Sequence, residues 1–146
     1  MEKKDLKPAG VFKYFEEICQ VPRPSKKEEK IIAYLKAFGV KHNLETNVDE
    51  AGNVLIKKPA TPGKENLQTV ILQSHIDMVC EKNNDVQHDF LTDPIETEID
   101  GEWLKAKGTT LGADNGIGVA TELAILADDS IEHGPLECLF TVDEET

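Results

Sequence analysis

Two short, nearly continuous apolar runs with a helical pattern between them constrain the fold most. The first run covers residues 69–73, and the second lies within residues 135–142. Residues 115–128, which separate them, repeat apolar side chains at helical spacing. Apolar runs of this length are typical of strands that are buried on both faces of a sheet. Because strands alternate with helices, the sequence predicts a parallel or mixed α/β sheet.

The N-terminal part of the chain predicts two helices that cover this sheet. Residues 8–19 carry one apolar stripe at helical spacing, and the proline-containing segment 21–24 ends that helix. Ser25 and Glu28 fit a capping box, in which each side chain satisfies a backbone N–H of the first turn. We therefore expect a second helix that begins at Ser25 and ends near Gly39.

Further strands are predicted at residues 53–57 and 103–106, and polar loops at residues 59–66 and 85–94. The sequence contains no internal repeat and no low-complexity segment. A chain of 146 residues fits a single folding unit. We therefore treat residues 1–146 as one portion of one domain.

Charge and cysteine usage exclude several classes of partner. Acidic residues outnumber basic ones by 28 to 16, which gives a net charge of −12. Such a chain is repelled by nucleic acid and by anionic membrane surfaces, so we expect neither as a partner. Three widely spaced cysteines, Cys19, Cys80 and Cys138, make no disulfide framework and no zinc motif. With no apolar run that resembles a signal peptide, a cytoplasmic location is expected.

Polar side chains with metal-binding potential follow both apolar runs and lie in the glycine-rich stretch between them. His75 and Asp77 come directly after the first run, and Glu144 and Glu145 come directly after the second. Asp114 lies in the glycine-rich stretch that precedes the helical pattern. Ligands of open α/β sheets bind beyond the carboxyl ends of the strands. We therefore expect these five side chains to converge at one edge of the sheet.

Each cluster alone also has an ordinary structural interpretation. Asp114 could cap a helix, and an acidic strand end is usually solvated. Residues 112–118 lack the lysine of a phosphate-binding loop and the acidic spacing of a calcium loop. Taken together, however, converging carboxylates require protonation or a cation. His75 favours zinc over magnesium or calcium, and manganese or cobalt are possible substitutes.

A combined pattern is carried by residues 21–25, 52–54, 72–79, 109–118, 133–137 and 141–145. Together these segments resemble the co-catalytic zinc metallopeptidases, and within them the aminoacyl-histidine (Xaa-His) dipeptidases, which are carnosinase-like enzymes. The resemblance implies the N-terminal part of a three-layer α/β zinc-peptidase catalytic domain of the phosphorylase/hydrolase-like class. The inserted lid or dimerisation domain of that family is absent from residues 1–146.

The resemblance implies a role for each clustered residue. His75 and Glu145 would each ligate one of two Zn²⁺ ions, and Asp114 would bridge both. Asp77 would orient His75, and Glu144 would be the general base that takes a proton from a zinc-activated water. The peptide bond after Asp114 would be cis. The implied reaction is hydrolysis of a small peptide substrate of the β-alanyl-histidine type.

The family pattern contains two further ligands, an acidic residue and a histidine, which lie downstream in full-length members. We therefore expect residues 1–146 alone to bind metal weakly, to be inactive and to self-associate through unpaired strand edges. Full-length members of the family are expected to form homodimers. Two alternatives stay open: a non-catalytic metal-binding or interaction module, and a deacylase or carboxypeptidase of the same family.

Overall fold

The computed structural model describes residues 2–146, which form three helices and six strands after a short 3-10 turn. Most of the elements predicted from the sequence are present within a few residues of the expected bounds. The short strands β1 and β4 were not predicted. The elements in chain order are α1 (Ala9–Cys19), α2 (Glu29–Lys41), β1 (Glu45–Val48), β2 (Val54–Lys58), β3 (Val70–His75), β4 (Thr97–Asp100), β5 (Trp103–Ala106), α3 (Ala113–Ala127) and β6 (Leu136–Thr141).

Four strands form a mixed sheet in the order β1-β2-β6-β3, and β4 and β5 form a separate hairpin. Strand β6 runs antiparallel to β2 and parallel to β3. The α/β class predicted from the sequence is confirmed. In the parallel pair, His75 lies opposite Thr141, so β3 and β6 end side by side. This arrangement brings the residues that follow both strands to one edge of the sheet.

The three helices cover one face of the sheet. Val54 pairs with Phe140 and Ile56 with Cys138, and all four side chains are fully buried with the apolar stripes of the helices in one core. Burying one such side chain stabilises the fold by about 1.5–3 kcal/mol. None of the described helices is long and apolar enough to cross a lipid bilayer.

Strand β3 differs from its prediction. We expected residues 69–73 to be buried on both faces, but Ile71 is 62% exposed and Val70 is half exposed. Within residues 2–146, β3 pairs with β6 alone and is therefore an edge strand. Ile71 points to the face that the helices leave uncovered, and Val70 lies at the start of this edge strand, where its covered face is incomplete.

The predicted start of the second helix is also wrong. Helix α2 begins at Glu29, and neither Ser25 nor Glu28 caps it through its side chain. The Ser25 hydroxyl instead donates to Asp77, and the Glu28 carboxylate accepts the backbone N–H of Asp143. These long-range hydrogen bonds use the groups that a capping box would need.

Gly39 does not end α2, which continues to Lys41. The glycine lies where the helix contacts β1, and a Cβ at this position would overlap the side chain of Thr46. The residue therefore allows a close approach between helix and strand, and it does not act as a stop signal.

Candidate metal centre

His75 occupies the end of β3 and is 6% exposed. Its Nε2 lies 3.0 Å from Oδ1 of Asp114. Its Nδ1 lies 3.2 Å from the Asp77 carbonyl oxygen and 3.3 Å from the Asp77 carboxylate. Burial by itself lowers the pKa of His75, but the carboxylates of Asp114, Asp77 and Glu144 outweigh it and raise the pKa. The ring is thus fixed on one side and offers Nε2 to the cluster on the other.

Asp77 is a fully buried carboxylate that connects two parts of the site. Besides facing His75, it accepts hydrogen bonds from the Ser25 hydroxyl at 2.7 Å and from the backbone N–H groups of Glu144 and Glu145 at 3.1 and 3.0 Å. Burial favours the neutral form, yet these donors lower the pKa of Asp77. Asp77 is therefore charged, fully hydrogen-bonded and unavailable as a direct metal ligand.

The segment that carries Glu144 and Glu145 is held by its backbone. Two more successive N–H groups are accepted by side chains, that of Val142 by Asn53 Oδ1 at 3.0 Å and that of Asp143 by Glu28 Oε1 at 2.9 Å. Together with Asp77, these acceptors fix four consecutive N–H groups after β6. This function of Glu28 and Asn53 could not be predicted from the sequence, because no local spacing signals it.

Asp114 lies in the first turn of α3, directly after Ala113 and the left-handed Gly112. Its backbone angles and those of Asn115 are not helical, and the peptide bond between them is cis, as the family resemblance implied. The Asp114 side chain is 85% exposed and reaches His75. Its second oxygen is therefore accessible to another ligand or ion.

The structure brings all five predicted site residues together. Ligand atoms of His75, Asp114 and Glu145 lie within 4.8 Å of one another. Glu144 Oε2 lies 3.9 Å from His75 Nε2, and Asp77 lies behind the ring. Ligands at about 2.0–2.2 Å from a tetrahedral zinc ion are about 3.4 Å apart, so small side-chain movements suffice for this group to hold a divalent cation. The nitrogen and carboxylate donors also suit manganese or cobalt.

Another buried carboxyl lies against Ser74, the residue before His75. Glu122 on α3 is 4% exposed; its Oε2 accepts a hydrogen bond from the Ser74 hydroxyl, and its Oε1 has no partner within residues 2–146. Burial raises the pKa of Glu122 to about 7 from its ordinary 4.5. The neighbouring Cys138 thiol stays neutral, because burial, reinforced by Glu122, raises its pKa to about 12.

Glu122 gives the stability of the fold a pH dependence. The pKa of Glu122 is higher in the folded than in the unfolded protein. Its contribution to the free energy of unfolding is therefore fully present below about pH 4.5 and is lost as the pH rises through about 7. We expect the loss to reach about 3 kcal/mol at pH 8. Denaturant unfolding at pH 5 and pH 8 measures it. The Glu122→Gln variant should lose most of this difference, and an identical pH dependence in both proteins would contradict the assignment.

The fold is similar to that of part of a known peptidase. It superposes with a TM-score of 0.77 on the aminopeptidase PepT of Bacillus cereus ATCC 10987, at 25% identity, over 94% of this chain and 37% of that one. No protein-family model matches the chain.

Two stronger matches identify the particular peptidases that the chain is similar to. One is the structure of aminoacylhistidine dipeptidase from Vibrio alginolyticus, with a TM-score of 0.96 and 53% identity over 100% of this chain. The other is the cytosol non-specific dipeptidase of Escherichia coli (strain K12), 51% identical over 144 residues and 99% of this chain. The predicted resemblance to aminoacyl-histidine dipeptidases is therefore confirmed. The chain spans 30% of the length of each of these two proteins.

Proposed function

We propose that this chain supplies metal-binding and proton-accepting side chains of a metal-dependent dipeptidase, with two zinc ions as its cofactors. The observation that carries the proposal is the grouping of His75, Asp114 and Glu145 within 4.8 Å. It occurs in a chain that is at least 51% identical to two proteins named as dipeptidases. An acidic surface cluster without this imidazole and this fold would not support the same conclusion.

The three grouped residues are the proposed metal ligands, with Asp114 as the bridge. Its exposed carboxylate is within reach of both His75 and Glu145, so each of its oxygens can serve a different ion. Zinc bound there would lower the pKa of a coordinated water and polarise the peptide carbonyl. Asp77 would act from behind the ligands, because it orients the His75 ring and also fixes the backbone that carries Glu145.

Glu144 is the proposed general base. Its backbone N–H is bound by Asp77, while its carboxylate is 58% exposed and faces the ligands at 3.9 Å from His75 Nε2. A carboxylate held in this position can accept a proton from the attacking water and return it to the leaving amine. A general base needs both a fixed backbone, which the buried Asp77 provides here, and an accessible carboxylate.

Residues 1–146 provide fewer ligands than two ions need. A catalytic zinc ion usually has three protein ligands, whereas only His75, Asp114 and Glu145 form the described group. We therefore propose that these residues form the N-terminal portion of a larger catalytic domain and bind metal weakly by themselves. Peptidase activity is expected only when the remaining ligands are present.

The proposed substrates are dipeptides, including those with a C-terminal histidine. One relative is named for aminoacylhistidine substrates and the other is named non-specific, so a strict requirement for histidine is not part of the proposal. A deacylase would instead prefer N-acyl amino acids, which makes these compounds a useful comparison.

The proposal predicts metal-dependent hydrolysis by the protein expressed from its complete gene. Removing the metal with a chelator should lower the hydrolysis of β-alanyl-histidine and alanyl-alanine at least 100-fold, because water activation would be lost. Adding Zn²⁺, Mn²⁺ or Co²⁺ should restore it. Full activity in metal-free protein would contradict the mechanism, and preference for N-acyl amino acids over dipeptides would support the deacylase alternative.

A further inference from the structure

Arg23 has an unusual environment that the proposed reaction does not explain. Its side chain is 2% exposed. Within residues 2–146 no carboxylate oxygen lies within 4.0 Å of its guanidinium nitrogens, although the buried Asp77 carboxylate is near enough to interact with its charge. All its hydrogen bonds go to main-chain carbonyl groups: Nη1 donates to those of Ile76 and Asp77 at 3.1 and 3.3 Å, and Nη2 donates to that of Gly112 at 2.7 Å. Burying a cation with no carboxylate in direct contact is costly, so these contacts call for a physical reason.

The carbonyl groups belong to the two segments that carry metal ligands. Ile76 directly follows His75 at the end of β3, and Gly112 precedes Asp114 by two residues at the start of α3. The guanidinium therefore spans the gap between a strand end and a helix start. The backbone oxygen of Arg23 also accepts the N–H of Met78 at 3.1 Å, which fixes Arg23 to the first of these segments.

Two glycines make room for this guanidinium. A Cβ at Gly112 would lie 2.7 Å from Nη2 of Arg23, and a Cβ at Gly116 would lie 2.6 Å from it. Both approaches are closer than atoms tolerate. At these two positions the missing side chains therefore accommodate Arg23.

We propose that Arg23 is a positioning residue that sets the distance between His75 and Asp114 and thereby the affinity of the site for divalent metal. This inference rests on the proposed function of those two ligands. A planar guanidinium can donate in two directions at fixed angles, whereas a lysine ammonium is a point charge on a flexible chain. Arg23→Lys therefore keeps the charge but loses the bridge.

Cobalt(II) titration, followed by its visible absorption, tests the inference on the protein expressed from its complete gene. Arg23→Lys and Arg23→Met should each weaken Co²⁺ binding about 10–100-fold, the usual effect of losing an outer support of metal ligands. Lys58→Met is the matched control. Lys58 is also a buried cation, but it donates to the carbonyl groups of Ile125 and Asp128 at the opposite end of α3. Its substitution should leave Co²⁺ affinity unchanged, even if it lowers stability.

A metal-free measurement separates this inference from the proposed function. The NMR signal of the His75 ring in the apo protein should shift in Arg23→Lys and stay in place in Lys58→Met. Gly116→Ala displaces the guanidinium without removing it and should shift the same signal. This variant replaces the Arg23 variants in the test if those do not fold. If the wild type did not bind Co²⁺, the proposed function would be contradicted. The NMR signal of His75 in the metal-free variants would then decide by itself whether Arg23 positions that ring. The inference would be overturned if the His75 signal of Arg23→Lys did not shift, or if Arg23→Lys bound Co²⁺ as tightly as the wild type does.

Discussion

Glu144→Gln is expected to lower kcat for dipeptide hydrolysis about 10²–10⁴-fold and to leave the metal content unchanged. An amide of the same shape cannot accept a proton from the attacking water. The backbone of residue 144 remains bound to Asp77, so the neighbouring ligand Glu145 should keep its place. The measurement is kcat for β-alanyl-histidine, together with metal content by elemental analysis, on the protein expressed from its complete gene.

Glu132→Gln is the matched control for this experiment. Glu132 is an exposed glutamate near Lys64, so its substitution removes the same charge without touching the site. Activity close to that of the wild type is expected. If Glu144→Gln were as active as this control, Glu144 would not be the base. Loss of metal from Glu144→Gln would instead indicate that Glu144 is a ligand.

Asp77→Ala is expected to weaken metal binding about 10–100-fold and to lower the free energy of unfolding by about 3–5 kcal/mol. The substitution leaves the Ser25 hydroxyl and the backbone N–H groups of Glu144 and Glu145 without their acceptor in a buried place. It also removes the carboxylate behind His75. Metal titration and denaturant unfolding measure the two effects separately.

Two further variants refine the prediction for Asp77. Asp77→Asn should also be defective, because both carboxylate oxygens accept backbone N–H groups and an amide replaces one acceptor with a donor. Ser25→Ala removes only one of the donors and should cost about 1 kcal/mol. Wild-type metal affinity in Asp77→Ala would show that the His75 ring is held without this carboxylate.

The positions of the principal site residues could be predicted because they follow from general rules of sheet construction. Apolar runs located the strands that became β3 and β6, and ligands of α/β sheets collect beyond the strand ends. That rule placed His75, Asp114 and Glu145 together, and the structure brings these side chains within 4.8 Å. The short strands β1 and β4 could not be predicted, since their few residues are largely polar and only one of the eight is buried.

The supporting residues could not be predicted for a different physical reason. Ser25, Glu28 and Arg23 act through hydrogen bonds to residues more than 50 positions away. No periodicity or spacing encodes such contacts. In the sequence, Ser25 and Glu28 fit a helix cap, whereas in the fold their oxygens stabilise the site. Local rules therefore assigned these groups to the wrong partners.

Metal content per chain tests the central claim most directly. The wild type and Asp114→Ala, both expressed from the complete gene, should be purified without chelators and analysed for zinc, manganese and cobalt. The Asp114 side chain is 85% exposed, so its removal should not unfold the protein. We expect bound divalent metal in the wild type and its loss from Asp114→Ala. Equal metal content in the two proteins, or no metal in the wild type after incubation with excess Zn²⁺, would contradict the account.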